Sequence, residues 1–158
     1  MIVISNTTPI NYLVLIDHIY ILPELFGRVV IPEAVLYELQ SPAAPDKIQR
    51  WIASPEWLMV QRVETTDPAL AHLDAGEREG ITLAEQMQAD LILIDEGRGR
   101  QTAKQRGLAV TGTIGLLDYA AARGLIDFVR AVELLRQTSF RAAPHLLQAL
   151  LDRHRQED

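Results

Sequence analysis

The chain has 158 residues, 48% of them hydrophobic and 23% charged, which is enough to form one compact domain with its own core. It contains no cysteine, and this excludes a disulfide scaffold, a thiolate metal site and a cysteine nucleophile. Fifteen basic and 21 acidic residues give a formal net charge of −6, so a phosphate-bearing ligand would need a local basic patch or a bound cation.

Short apolar runs alternate with helical patterns along the chain. A helix is predicted after the first run, with Thr8 as its cap and Pro9 at its first position, and a second begins at Pro32 and ends at Pro42 and Pro45. The predicted strands cover residues 2–4, 29–31, 58–63, 91–94 and 108–110, and the later helices cover about 76–88, 97–105, 113–123, 127–137 and 144–155.

This alternation is typical of a parallel sheet covered by helices, because strands buried on both faces form continuous apolar runs. We therefore predict an α/β fold. No repeat or long linker interrupts the pattern, so residues 1–158 are interpreted as a single domain with a helical tail from about residue 127. No basic leader precedes the first apolar stretch, which is shorter than the ~20 residues of a membrane span, and we expect a cytoplasmic protein without a membrane segment.

Polar side chains follow three of the predicted strands. Ser5-Asn6-Thr7 ends the first, Asp95-Glu96 ends the fourth and Thr111-Gly112-Thr113 ends the last. Ligands of open parallel sheets gather beyond the carboxyl ends of the strands, because the loops converge there. These three segments are therefore the first candidates for a functional site.

Two helices add acids to this region. Glu38 lies beside Val35 and Leu39 and so borders the apolar face of its helix. Glu77 shares a stripe with the apolar residues of its own helix, whereas Glu79 points further round, and Glu77 is therefore preferred as a ligand. Converging carboxylates repel one another unless a cation lies among them, and hard oxygen ligands favour Mg²⁺ or Mn²⁺. Such a site is suited to phosphodiester hydrolysis.

The sequence resembles the PIN-domain ribonucleases, in particular the toxin nucleases of toxin-antitoxin pairs and their uncharacterised relatives. The similar stretches run in order along nearly all of the chain. They are IVISNTTPINYL, VVIPEAVLYEL, LDAGEREGITLA, ADLILIDEGRGRQTAKQRGLAVTGTIGLL and SFRAAPHLL.

The resemblance implies a three-layer α/β/α sandwich around a mainly parallel sheet, and a metal-dependent endoribonuclease. It also implies a homodimer and a cognate antitoxin protein as partner. The family's acidic ligands fall at position 6 and at Glu38, Glu77 and Asp95, and Thr113 matches a small polar residue that often completes the pocket.

Asn6 departs from the family pattern, which has aspartate at this position. An amide oxygen can coordinate Mg²⁺ but supplies no charge. We therefore expect a weakened or conditional ribonuclease in which Asn6, Glu38, Glu77 and Asp95 hold Mg²⁺ or Mn²⁺. The alternative is a catalytically silent module that binds a protein partner or RNA, and a third interpretation is a sugar- or nucleotide-binding module that needs no metal.

Four further residues are candidates for contact with an RNA substrate. Arg98 and Arg100 follow Asp95 closely and could contact phosphates, and the hydroxyls of Thr7 and Thr113 could form hydrogen bonds in the pocket. Each candidate also has a purely structural interpretation. The arginines could form a solvated helix face, and Glu38 could be an ordinary acid on a helix surface. Glu77 could be a first-turn acid that complements the helix dipole, and Asp95 could cap the helix that follows it.

Overall fold

A computed structural model describes residues 1–53, 55–95 and 97–157 of the chain. Of residue 157 only the backbone is described. Glu96, which the sequence places at the end of the fourth strand, therefore lies outside the described residues. The described residues form an α/β structure around a single five-stranded sheet.

All pairings in the sheet are parallel, and the strand order is β3-β2-β1-β4-β5. Each strand overlaps one of the predicted apolar runs, and β1, where the polar segment Ser5-Asn6-Thr7 begins, lies at the centre. The strands are β1 (Val3–Ser5), β2 (Val29–Pro32), β3 (Leu58–Gln61), β4 (Leu91–Leu93) and β5 (Val110–Thr111).

Helices connect the strands and form the C-terminal region. The predicted helices are present with small shifts at their ends. The helices are α1 (Thr7–Leu15), α2 (Ile21–Phe26), α3 (Glu33–Gln40), α4 (Asp46–Trp51), α5 (Ala75–Gln86), α6 (Gly97–Gln105), α7 (Thr113–Ala122), α8 (Phe128–Arg136) and α9 (Pro144–Glu157).

The prediction for the start of α1 was wrong. The helix begins at Thr7, so Pro9 is its third residue, and Asn6 rather than Thr8 occupies the cap position. Asn6 is extended (φ −82°, ψ 176°), and its side chain makes no capping hydrogen bond to the helix. Its carboxamide is therefore not used to end the strand or to begin the helix.

Two helices, α2 and α4, were not predicted from the sequence. Each has six residues, fewer than two helical turns, which is too short for a helical period to be recognised. Helix α4 lies against α1 and α3, on the side of the molecule where Glu38 is located. It therefore contributes to the surroundings of the candidate site.

Successive residues of the central strands pack on opposite faces of the sheet. Val3 and Leu93 belong to a core formed with α1, α7 and α8, whereas Ile4 and Ile92 pack with residues of α5 and α6. Alternate side chains of a strand point to opposite faces, so both faces are covered by helices. This confirms the predicted three-layer α/β/α arrangement.

The parallel register places the ends of β1 and β4 side by side. Ser5 pairs with Leu93, and the backbone amide of Asn6 donates to the carbonyl of Leu93 at 2.8 Å. Asn6 and Asp95 therefore leave neighbouring strands at the same edge of the sheet. Across the described ranges, no helix combines the length and the apolar character needed to cross a membrane.

Candidate functional site

Asn6 lies at the carboxyl end of the central strand and is 4% exposed. Its Oδ1 atom points to Gly76 in the first turn of α5, and it is 2.9 Å from the position that a Cβ atom would have on that glycine. The absence of a side chain at residue 76 therefore gives the Asn6 carboxamide its space.

Glu38, near the end of α3, points to the same place. Its Oε1 atom is 3.1 Å from the Cβ position of Gly76, and its Oε2 atom accepts a hydrogen bond from the Thr7 hydroxyl at 2.6 Å. The structure thus brings Asn6 and Glu38 together beside one glycine, as the sequence predicted. Thr7, which was predicted to contact the substrate and to form a hydroxyl hydrogen bond in the pocket, donates its hydroxyl hydrogen to Glu38 in this structure.

Asp95 follows β4 and is bound by the first residue of α7. Its Oδ1 atom accepts from the Thr113 amide at 2.7 Å, and its Oδ2 atom accepts from the Thr113 hydroxyl at 2.6 Å. Burial raises the pKa of Asp95 above its ordinary value, although the hydrogen bonds from Thr113 and the charge of Arg100 act in the opposite direction. Asp95 therefore caps a helix, but α7 rather than the helix that directly follows it.

Glu77 is in the first turn of α5 and is 6% exposed. It forms a capping box with Asp74: the Glu77 amide donates to Asp74 Oδ1 at 2.8 Å, and the Asp74 amide donates to Glu77 Oε1 at 3.2 Å. The Glu77 carboxylate also lies directly against Gly99 of α6, where a Cβ atom would clash with it. Glu77 thus has the structural role of a first-turn acid, and its position in the core stripe was predicted correctly.

Glu79, the rejected alternative to Glu77, serves a different purpose. Its Oε1 atom accepts from the backbone amide of Ala34 at 3.3 Å, at the beginning of α3. It therefore connects α5 to the helix that carries Glu38.

The four predicted ligands thus lie in three places, and one of them, Glu77, is buried between α5 and α6. Asn6 and Glu38 meet beside Gly76, and Asp95 lies with Thr113. Over the ranges that the structure describes, no three acidic, histidine or cysteine side chains are arranged to hold a metal ion. The expected cage of three carboxylates is therefore not formed by Glu38, Glu77 and Asp95 as they stand.

A divalent cation is nevertheless compatible with the donors at Gly76. Asn6 Oδ1 and Glu38 Oε1 lie beside Gly76, which has no side chain to separate them. Both are hard oxygen ligands, the type that Mg²⁺ and Mn²⁺ prefer. The amide contributes no negative charge, so this pair carries one carboxylate where the sequence pattern of the resembled family has two. The residues thus match an oxygen-ligated metal site of reduced charge.

The basic residues after Asp95 have different surroundings. Arg98 is exposed, and Arg100 places Nη1 3.0 Å from the Cβ position of Gly112, beside Asp95. Arg106 instead forms ion pairs with Glu85 at 2.9 Å and Asp67 at 3.2 Å. Arg98 and Arg100 therefore remain the candidates for phosphate contact.

Three glycines that sequence reasoning did not assign to the site are required by close approaches. A Cβ atom at Gly76 would crowd Asn6 and Glu38, one at Gly99 would overlap Glu77, and one at Gly112 would overlap Asp95. A sequence signal was present for two of them, because Gly76 and Gly99 lie within helices, where glycine is unfavourable unless packing requires it. The amide of Thr113 at the beginning of α7 is occupied by Asp95.

A family model described as PIN domain matches residues 2–156 of the chain. The chain belongs to the PIN-domain family. The PIN domain is generally a nuclease fold, and its members typically use divalent metals. No curated protein matches the chain.

A solved structure has a similar fold. It is a PilT N-terminus domain protein from the hyperthermophilic archaeon Sulfolobus solfataricus P2, with 19% sequence identity and a TM-score of 0.55. The match covers 76% of this chain and 93% of that chain. At this identity the likeness supports the PIN fold alone.

Proposed function

We propose that this PIN domain is a metal-dependent endoribonuclease whose metal affinity is reduced by Asn6. The observation that carries the proposal is the convergence of Asn6 Oδ1 and Glu38 Oε1 beside Gly76, at the sheet edge where Asp95 also lies. Asn6 and Glu38 would hold Mg²⁺ or Mn²⁺ directly. Asp95 and Glu77, which form no cage with Glu38 as they stand, would have to move closer to complete the ligands of the metal.

When bound, the divalent ion would supply activation of a water molecule and neutralise charge on the phosphate oxygens. Hydrolysis would form a bond from the water oxygen to phosphorus with release of one water proton, and would break the bond from phosphorus to one sugar oxygen, which would take up a proton. Thr7 holds Glu38, and Thr113 holds Asp95, so that both carboxylates have fixed orientations. Arg98 and Arg100 would neutralise phosphates of the RNA strand.

The experiment that tests this function is cleavage of a single-stranded RNA in Mn²⁺ and in EDTA. We expect weak cleavage in Mn²⁺, none in EDTA, and loss of activity in Glu38→Gln and Asp95→Asn, because both substitutions remove a negative charge while keeping the shape of the side chain. Asn6→Asp should bind Mn²⁺ about tenfold more tightly, which corresponds to ~1.4 kcal/mol, and should cleave faster. Absence of cleavage by both the native chain and Asn6→Asp would refute the proposal.

A second candidate function is favoured by the neutral side chain at position 6. A catalytically silent PIN module would bind RNA or a protein partner without cutting it, and the formal net charge of −6 favours a protein. The same assay separates the two functions. Cleavage that appears only in Asn6→Asp would identify the native chain as silent, whereas Mn²⁺-dependent cleavage by the native chain excludes this alternative.

The toxin-like role is a further part of the proposal and has separate tests. It predicts a cytoplasmic homodimer and an antitoxin protein encoded by a short open reading frame directly upstream. Growth arrest on expression, relieved by co-expression of that partner, is the expected result. Native mass measurement would test the dimer. A chain that is harmless when expressed and has no such neighbouring frame would refute the toxin role but not the nuclease.

A further inference from the structure

A cavity opens directly beside the candidate metal ligands. It has a volume of about 260 Å³ and lies between α1, α3 and α4. Thr7 and Glu38, which are joined by the 2.6 Å hydrogen bond described above, form part of its wall. An occupant of this cavity would therefore lie next to whatever group is bound at Asn6 and Glu38.

The deepest part of the cavity is apolar and firmly packed. Leu39 is 1% exposed and Ile48 is fully buried, and Ala44 and Pro45 continue the same surface. Because Leu39 and Ile48 belong to the core and Pro45 is exposed, this apolar surface extends from the core to the outer rim of the cavity. The volume of the cavity is below the ~300 Å³ at which pockets for drug-sized ligands begin, so the cavity suits one small ring system.

A polar group lies within this apolar wall. Within the described part of the chain, the Asn11 side chain makes no hydrogen bond, so its carboxamide can still offer both a donor and an acceptor. The Ser41 hydroxyl, also at the cavity, accepts from the Ala43 amide at 3.1 Å and keeps its own hydrogen for a ligand. Apolar faces with polar edges are the chemical character of a nucleobase.

Charge favours the base over the phosphate at this position. The carboxylate of Glu38 lies in the cavity wall and would repel an anion, whereas Arg98 and Arg100 are on α6, which does not line the cavity. An apolar side chain from a protein would bury the Asn11 carboxamide without a hydrogen-bond partner, which is unfavourable. A neutral ring with hydrogen-bonding edges avoids repulsion by Glu38 and gives the Asn11 carboxamide a hydrogen-bond partner.

We propose that this cavity binds one unpaired nucleobase of single-stranded RNA, adjacent to the phosphate at the candidate metal site. The proposal rests on the proposed function in its choice of RNA as ligand, and it deepens that function by assigning a specificity subsite. Asn11 is the specificity-determining residue. A larger side chain at Ala43 would fill the cavity without altering the core, because Ala43 is exposed.

The test is RNA binding in EDTA, measured by fluorescence anisotropy, so that no cleavage occurs. A complete labelled oligoribonucleotide is compared with a series of oligoribonucleotides that each lack the base at one position, and this position moves along the strand through the series. Loss of one base should weaken binding to the native chain about tenfold, because the apolar contacts of that base with the cavity wall and its hydrogen bonds to Asn11 are lost. Ala43→Phe should weaken binding of the complete RNA by a similar factor and remove the difference between complete and abasic RNA.

Two further variants complete the experiment. Ala71→Phe adds the same ring at an exposed residue that does not line the cavity and should bind as the native chain does. Asn11→Leu keeps the branching of the side chain but removes its hydrogen-bonding groups, so the preference among the four bases at that position should disappear. Gln137→Leu, at an exposed residue directly after α8, should leave that preference unchanged. Urea denaturation verifies that each variant is folded.

Equal affinity for complete and abasic RNA, or unchanged binding by Ala43→Phe and Asn11→Leu, would overturn the subsite. These failures are distinct from failure of the proposed nuclease. A chain that binds RNA through this cavity but does not cleave it in Mn²⁺ retains the subsite and loses the nuclease. A chain that cleaves RNA with the same site preference in Ala43→Phe and Asn11→Leu retains the nuclease and loses the subsite.

Discussion

Thr113 donates both its amide hydrogen and its hydroxyl hydrogen to the carboxylate of Asp95, at 2.7 and 2.6 Å. The two residues are 18 positions apart in the chain, and their contact connects the end of β4 to the beginning of α7. Because Thr113 is fully buried, this contact fixes the direction of a candidate metal ligand.

Thr113→Val should therefore lower the free energy of unfolding by about 1–3 kcal/mol, the range for losing a hydrogen bond to a charged group. The pKa of Asp95 should rise further above its ordinary value, since one of the interactions that lowers it is removed. Urea denaturation and an NMR titration of the Asp95 carboxyl are the measurements. Thr65→Val, at an exposed residue, is the matched control, and equal effects of the two variants would contradict the role of Thr113.

Gly76→Ala tests the meeting point of Asn6 and Glu38. The new methyl group would lie 2.9 and 3.1 Å from their oxygens, so both must move, and Mn²⁺ affinity should fall about tenfold, as for other changes next to metal ligands. Calorimetric titration with Mn²⁺ measures it.

The control for this variant lies on the same helix. Gly80 has only Ile92 Cδ1 within 4 Å of its Cβ position, at 3.8 Å. Gly80→Ala should keep the native Mn²⁺ affinity and stabilise the helix by about 0.5–1 kcal/mol. If Gly76→Ala also keeps full affinity, the metal is not held by Asn6 and Glu38.

Gly99→Ala tests the contact between α6 and the buried carboxylate of Glu77. A methyl group there overlaps the carboxylate and lies 2.7 Å from Ile94 Cδ1, and neither group can easily move because both are buried. The free energy of unfolding should fall by about 1–3 kcal/mol, as for other overpacked sites. Gly97→Ala, at a residue of α6 with open space around its Cβ position, should change it little. Thermal and urea denaturation of both variants measure the change. A loss of unfolding free energy in Gly97→Ala as large as that in Gly99→Ala would contradict the prediction.

Much of the fold was predictable from the sequence because its elements have strong local signals. The apolar runs located all five strands, and residues 97–105 form α6 with the predicted bounds. Helices α2 and α4 were missed because six residues show no clear period. The start of α1 was misplaced because Pro9 was assigned to the first helical position, although proline is also tolerated elsewhere in the first turn.

The candidate site was predictable in part. Val35 and Leu39, the neighbours of Glu38 on its helix, are buried as predicted, but Glu38 itself is exposed. The parallel strands bring Asn6 and Asp95 to one edge of the sheet. The capping box of Asp74 and Glu77 had a readable signal, an acidic cap followed three residues later by glutamate, which was overlooked. The pairing of Asp95 with Thr113 depends on how α7 packs after β5, and no local pattern specifies it.

Asp118 of α7 connects the C-terminal helix to the rest of the domain. Its Oδ1 atom contacts His154 Nε2 at 2.7 Å and also the guanidinium of Arg153, while the His154 ring stacks on Phe128 with centroids 4.3 Å apart. Burial alone would raise the pKa of Asp118, but the hydrogen bonds and charges of Arg153 and His154 outweigh it and hold the pKa below its ordinary value.

A carboxyl group whose pKa is lowered on folding stabilises the folded state above its unfolded pKa, and this contribution is lost as the pH falls through the folded pKa. Asp118→Asn should therefore lower the free energy of unfolding by about 1 kcal/mol at pH 6, typical of a partly exposed ion pair. The difference from the native chain should shrink below about pH 4, where aspartate is protonated in the unfolded chain. Urea denaturation at a series of pH values measures the difference.

Asp152→Asn, which affects an exposed hydrogen bond to Gln148 on the same helix, should show a much smaller difference at pH 6. A difference for Asp118→Asn that stays constant from pH 6 to pH 3 would mean that its charge does not hold α9 in place.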